Sequence, residues 1–149
     1  TVSTTNEDWL WSSYYWFSTS ATGATGYNTR FIDITVPEIT SGIISAGAVL
    51  VSFEARPGTG LWTPLPMQFV DAYEDYMYNV VYELQEGMIR LHFFIMLNSA
   101  GASYPDLQNW DIAPYTFKYT VIEGDLLDSM AAREIDVNDH AEILEYLGD

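Results

Sequence analysis

His92 and His140 are the two histidines of the chain, and a catalytic triad or a zinc site would need one of them to meet partners at fixed geometry. His92 falls in an alternating, strand-like run and His140 in an acidic tail. The spacing around neither supplies such partners, so both read as structural or solvated. The sequence holds no Gly-x-Ser-x-Gly, no His-Glu-x-x-His, no phosphate loop and no dinucleotide fingerprint. Cysteine is absent, which removes disulfides, thiolate metal sites and a thiol nucleophile. On these residues the chain reads as a protein other than an enzyme.

Carboxylates are the abundant reactive group: 21 Asp and Glu stand against five Lys and Arg, for a formal charge of −16. Glycoside hydrolysis needs only two carboxylates, but at this density pairs arise by chance. Asp71, Glu74 and Asp75 lie close together, and Asp125 and Asp128 stand near the acidic tail. These five are the candidate ligands for a hard cation, and Ca²⁺ is the ion that carboxylate and carbonyl oxygens suit, although the spacing is not that of an EF-hand. Asp136, Asn138 and Asp139 read as helix capping. The competing reading of the acids is a solvated surface held apart by self-repulsion, which salt relieves. The shortage of cations excludes nucleic acid as a partner and disfavours anionic lipid.

Large rings form the third group. Trp9, Trp11, Tyr14 and Trp16 crowd into a Ser- and Thr-rich opening, and Trp62 and Trp110 follow later. Three roles fit them: packing within their own fold, addition of an aromatic strand to a neighbouring copy's sheet edge, or stacking on sugar faces in a glycan-binding module.

The elements that must position these groups are mostly strands. Ser18 to Gly26 is a loop or hinge by composition. Tyr27 to Val36 reads as a strand with Phe31, Asp33 and Thr35 on one face and Ile32, Ile34 and Val36 on the other. Pro37 opens a short helix carrying Ile39, Ile43 and Ile44, capped near Gly47. Ala48 to Ala55 is a strand buried on both faces, and Thr63-Pro64-Leu65-Pro66 an edge or irregular segment. Tyr76–Leu84 and Met88–Leu97 alternate around Gln85-Glu86-Gly87, a hairpin. Asn98 to Pro114 is a long loop with Tyr104 and Trp110 at its surface, and Tyr115 to Ile122 is the last strand, ended by Gly124. A capped helix follows from Asp136 to Gly148. Seven or so strands with two minor helices predict an all-β chain, an antiparallel β-sandwich of immunoglobulin-like or jelly-roll-like form. Residues 1–26 form an arm and hinge, and residues 27–149 the sandwich with its acidic helical tail.

Ile34-Thr35-Val36-Pro37-Glu38-Ile39-Thr40, Gly47-Ala48-Val49-Leu50-Val51 and Trp62-Thr63-Pro64-Leu65-Pro66 resemble an uncharacterised family of secreted or lipid-anchored surface proteins of Gram-negative bacteria. Phe117 to Gly124, Ile135 to His140 and Tyr146-Leu147-Gly148 resemble that family's closing strand and short terminal helix. The resemblance covers residues 27–149. It implies a β-sandwich exported to the cell surface, and it offers no catalytic residues. Some members carry collagen-like stretches, which this chain lacks.

The opening Thr1-Val2-Ser3-Thr4-Thr5 reads as a mature or trimmed terminus, and no apolar run approaches the ~20 residues that span a bilayer. The expectation is an extracellular or cell-surface structural protein, a self-assembling filament subunit whose partners are copies of itself. The alternative is a glycan-binding module for surface polysaccharide, using Trp9, Trp11, Trp62 and Trp110. No resident cofactor is expected beyond Ca²⁺.

Overall fold

The computed structural model describes residues 1–20, 23–71, 73–133, 135, 136, 139, 142, 143 and 145; the side chains of 13–20 and 23–26 lie outside the description. Two antiparallel sheets make an all-β, sandwich-like fold. The strands are β1 (Val2–Thr4), β2 (Leu10–Ser20), β3 (Gly23–Thr35), β4 (Ala48–Glu54), β5 (Thr63–Pro64), β6 (Met67–Val70), β7 (Tyr76–Gln85), β8 (Met88–Leu97) and β9 (Tyr115–Ile122). One sheet runs β1-β9-β4-β5 and the other β2-β3-β8-β7-β6. Helices α1 (Ser41–Ala46) and α2 (Gly124–Ala132) and short 3-10 turns at Asn6–Asp8 and Leu107–Asn109 join them, and residues 142, 143 and 145 of the tail are helical.

Strand periodicity sets the core. Because side chains alternate across a strand, Ile89, Leu91, Phe93 and Ile95 of β8 point inward, as the alternation predicts, and all four are buried. Facing them from the other sheet are Val49, Val51 and Phe53 of β4 and Tyr115 and Phe117 of β9. The β7–β8 hairpin closes with Gln85 opposite Met88. Gly87 sits in the left-handed region at φ 76°, which costs least where there is no Cβ.

Three local expectations change. The helix after Pro37 begins only at Ser41, because the Thr40 hydroxyl accepts from the Ile43 amide at 3.3 Å and so fixes the cap there. Gly47 does cap α1, but with extended backbone (φ −94°). Its need for glycine is steric, since a Cβ would lie 2.4 Å from the Ile122 carbonyl oxygen. Gly124 does not simply end β9; it opens α2, where a Cβ would meet the Ala46 carbonyl oxygen at 2.9 Å. Helix α2 brings Met130, Leu126 and Leu127 onto Ile122, with Ile143 and Ile135 of the tail, as a second small core outside the four-stranded sheet. In the tail, Asp139 Oδ1 accepts from the Glu142 amide, as the expected capping requires. Asn138 and the last four residues lie outside the described residues.

The Ser18–Gly26 hinge also changes. β2 continues to Ser20, β3 starts at Gly23, and Phe17 pairs with Thr25 and Ser18 with Ala24. Small and β-branched residues read as loop because they give no core signal, but backbone pairing needs none. The first twenty residues therefore supply strands to both sheets.

Candidate functional site

The N-terminal segment crosses from one sheet to the other at Trp9. Its ring meets Phe93 of β8 and Phe117 of β9 edge-on, both at 6.2 Å between centroids. Trp9 is 2 % exposed, so it is a core residue tying the sheets together. That burial removes it from any surface that takes a sugar or a neighbouring copy.

Arg30 fixes this crossing. It lies on the inward parity of β3 with Ile32 and Ile34 and is only 6 % exposed. Its Nε donates to the Trp9 carbonyl at 2.7 Å, and one terminal nitrogen donates to the Asn6 carbonyl at 2.7 Å. The other donates to the Trp110 and Gln108 carbonyls at 3.0 and 3.4 Å. Among the described residues no carboxylate pairs with it. Burial pulls its pKa down, though a guanidinium stays charged in proteins. A planar fork with five donors can satisfy several carbonyls at once, which an ammonium cannot. The sequence carried one signal of this role: a lone basic residue in phase with an apolar strand face.

His92 is 1 % exposed on the outward parity of β8. Its Nε2 contacts Glu83 Oε2 at 2.9 Å and its Nδ1 contacts Thr29 Oγ1 at 3.3 Å. Burial pushes the imidazole pKa down, against the pull of Glu83. The neutral ring donates Nε2–H to Glu83, and the single Thr29 hydroxyl proton is divided among Nδ1 and the Arg30 and Phe93 carbonyl oxygens. A Thr–His–Glu chain resembles an activated nucleophile. Thr29, however, is 1 % exposed, and its hydroxyl lies 3.1 and 3.2 Å from the Arg30 and Phe93 carbonyl oxygens. The chain of contacts buries polar groups in satisfied form; it presents no hydroxyl to a substrate. His140 lies outside the described residues.

The five candidate cation ligands fall in two separate groups, as their places in the sequence imply. Asp71, Glu74 and Asp75 form the β6–β7 turn, where Asp71 Oδ1 accepts from the Asp75 and Tyr76 amides at 2.8 and 3.1 Å. Asp125 and Asp128 are on α2, against α1 at the opposite end of the sandwich. Among the described residues no three Asp, Glu or His side chains are placed to hold a metal ion. Glu54, which the sequence reading passed over, is a well-engaged carboxylate. It accepts from the Gly58 and Gly60 amides and the Thr59 hydroxyl, and these bonds hold its pKa below the usual range.

The other predicted aromatics scatter. Trp62 lies under the Lys118 ammonium, 4.4 Å from ring centroid to nitrogen, in a cation–π contact. Trp110 is half-buried, packed on Tyr76 and Tyr78 at 6.4 and 5.9 Å, not a surface ring on the loop. Trp11 is 41 % exposed beside Leu10 at 58 %. The side chains of Tyr14 and Trp16 lie outside the described residues. A cleft of about 150 Å³, lined by Tyr27, Asn28, Ile95, Tyr104, Pro105 and Leu107, opens where β3 runs past its last pair with β8, Arg30 opposite Phe93.

What the N-terminal aromatics do share is a strand. β2 ends the five-stranded sheet: β3 lies on one side, and among the described residues no strand lies on the other. Between Asp8 and Arg30 no residue carries a charge, in a chain of net −16. The open edge and the uncharged stretch coincide.

Compared with known proteins, the chain matches no family model, no curated protein and no solved structure. Among the described residues no helix is long and apolar enough to cross a membrane.

Proposed function

We propose that this chain is a non-catalytic extracellular structural protein, a self-assembling surface subunit whose copies associate through the N-terminal strand region. The observation that carries this reading is the separation of charge. Like-charged copies repel wherever carboxylates face each other, and the uncharged stretch between Asp8 and Arg30 is where that repulsion is least. An open strand edge in the same stretch offers a row of backbone donors and acceptors to another chain. The resemblance over residues 27–149 supports export to the cell surface. The mode of addition differs from a detachable arm: releasing Asn6–Trp9 would empty the core between Phe93 and Phe117 and strip Arg30 of two carbonyls. Light scattering and electron microscopy of the native chain across a salt series test the reading. Particles larger than one chain are expected, growing with salt as repulsion is screened. A monodisperse monomer throughout would sink it.

A second reading, a glycan-binding module, is favoured by the Tyr27–Tyr104 cleft rather than by the tryptophans. It pairs aromatic faces with the Asn28 amide, and Tyr104 is 60 % exposed. At about 150 Å³ it is smaller than the roughly 300–1,000 Å³ of pockets for drug-sized ligands, so it suits a single ring. Depletion by insoluble polysaccharides that is lost in Tyr104→Ala would move this reading ahead.

A further inference from the structure

The two sheets expose four edges, and three of them are blunted. β1 is only three residues long. β5 has two residues, one of them Pro64, which has no N–H to donate. β6 has four and runs directly into Asp71, Glu74 and Asp75. Short length, proline and charge are the devices by which soluble proteins prevent edge-to-edge pairing. β2 carries none of these: it is eleven residues long, with no proline and no charge. Its two irregularities are local. The register with β3 shifts between Ser12 and Tyr15 and again between Ser18 and Ser20, and runs unbroken from Tyr15 to Ser18.

Resting on the self-assembly reading above, we propose that the partner of β2 is β2 of a second copy, paired antiparallel about a two-fold axis near Trp16 and Phe17. The pairing joins two five-stranded sheets into one continuous sheet. Only β2 matches β2 in length; β1 and β5 are too short to cover it, and a β6 edge would bring Asp71, Glu74 and Asp75 against a like-charged neighbour. A two-fold contact is self-complementary and closes on itself. The product is therefore a dimer, and any filament needs a second contact elsewhere. The like charge of the two copies makes the pairing salt-dependent, strengthening between about 0.01 and about 0.15 M salt as the Debye length falls from roughly 30 to 8 Å.

Sedimentation of three chains tests this: the native one, Ser13→Asp with Ser20→Asp, which face each other across the two-fold axis, and a control with Gln85→Glu and Gln108→Glu that adds the same charge on exposed residues away from β2. The expected result is a native and control dimer, with dissociation of the β2 variant raised about tenfold or more, since like charges meet across the new ladder. Equal dimerisation in all three, or equal weakening in both variants, overturns the β2 contact and leaves the self-assembly reading standing. A native monomer at every salt concentration overturns both. Hydrogen exchange on the native chain reads the same question without a variant. Amides of residues 10–20 gain protection as concentration rises while those of Met67–Val70 do not; the reverse pattern overturns the proposal.

Discussion

The Nε of Arg30 donates to the backbone carbonyl of Trp9 at 2.7 Å, joining a buried cation on β3 to the residue where the chain passes between sheets. Charged donors to neutral carbonyls are worth roughly 1.5–3 kcal/mol each, and leaving buried carbonyls unpaired adds a desolvation cost. Arg30→Ala is expected to cost about 3–5 kcal/mol by urea unfolding, and Arg30→Lys to recover little of it. A loss below about 1 kcal/mol would show that the clamp does not hold the N-terminal segment.

Trp9→Ala removes a ring packed against both sheets, and a cost of about 3–5 kcal/mol follows. Trp9→Phe is expected to cost much less. Among the described residues Trp9 Nε1 has no acceptor, so phenylalanine also removes a buried unpaired donor. Equal losses in the two variants would contradict that account.

Gly47→Ala drives a methyl group into the Ile122 carbonyl, backbone against backbone, where neither side yields cheaply. About 1–3 kcal/mol of destabilisation is expected, carried by separation of α1 from the end of β9. An unchanged thermal midpoint would show that the two segments shift apart freely.

Burial lowers the His92 pKa in the folded chain below its ordinary 6.5, so the native state binds fewer protons than the unfolded one. The stabilisation is complete above the unfolded value and is lost as pH falls through it toward the folded value. Between about pH 7 and about pH 5 the native chain should lose stability more steeply than His92→Gln. Parallel slopes would sink the assignment; the imidazole shift, followed by NMR, gives the folded pKa directly.

Glu54 runs the opposite way. Its folded pKa is depressed by the Gly58 and Gly60 amides, so its contribution is present above the unfolded value and lost as pH falls through the folded one. Glu54→Gln leaves one oxygen where two accepted, and faster exchange of the Gly58 and Gly60 amides is the expected result. Unchanged exchange would show that the turn holds without the carboxylate.

Strands whose inward residues alternate could be read directly. Tyr76–Leu84, Met88–Leu97 and Tyr115–Ile122 all appear within a residue or so, because period-two burial is written locally, and Ala48–Ala55 appears from its continuous apolar run. α2 could not be read that way: Leu126, Leu127 and Met130 gain meaning only against the outward face of Ile122, which no local pattern announces. The aromatic opening was visible as unusual, but its division was not. Trp9 goes inside, Trp11 stays at the surface, and the backbone of Leu10–Ser20 becomes an edge.

The sequence by itself determined the all-β class, through strand alternation, the absence of thiol chemistry, the acidity that repels phosphate, and the position of the longest uncharged stretch. Tertiary structure alone decided that Arg30 would meet carbonyls rather than carboxylates, and that His92 would lie between Thr29 and Glu83. The physical reason is range. Charge totals and side-chain alternation are sums over near neighbours along the chain, whereas a buried polar group is satisfied by whatever backbone the fold carries past it, here from residues 24, 64 and 78 positions away.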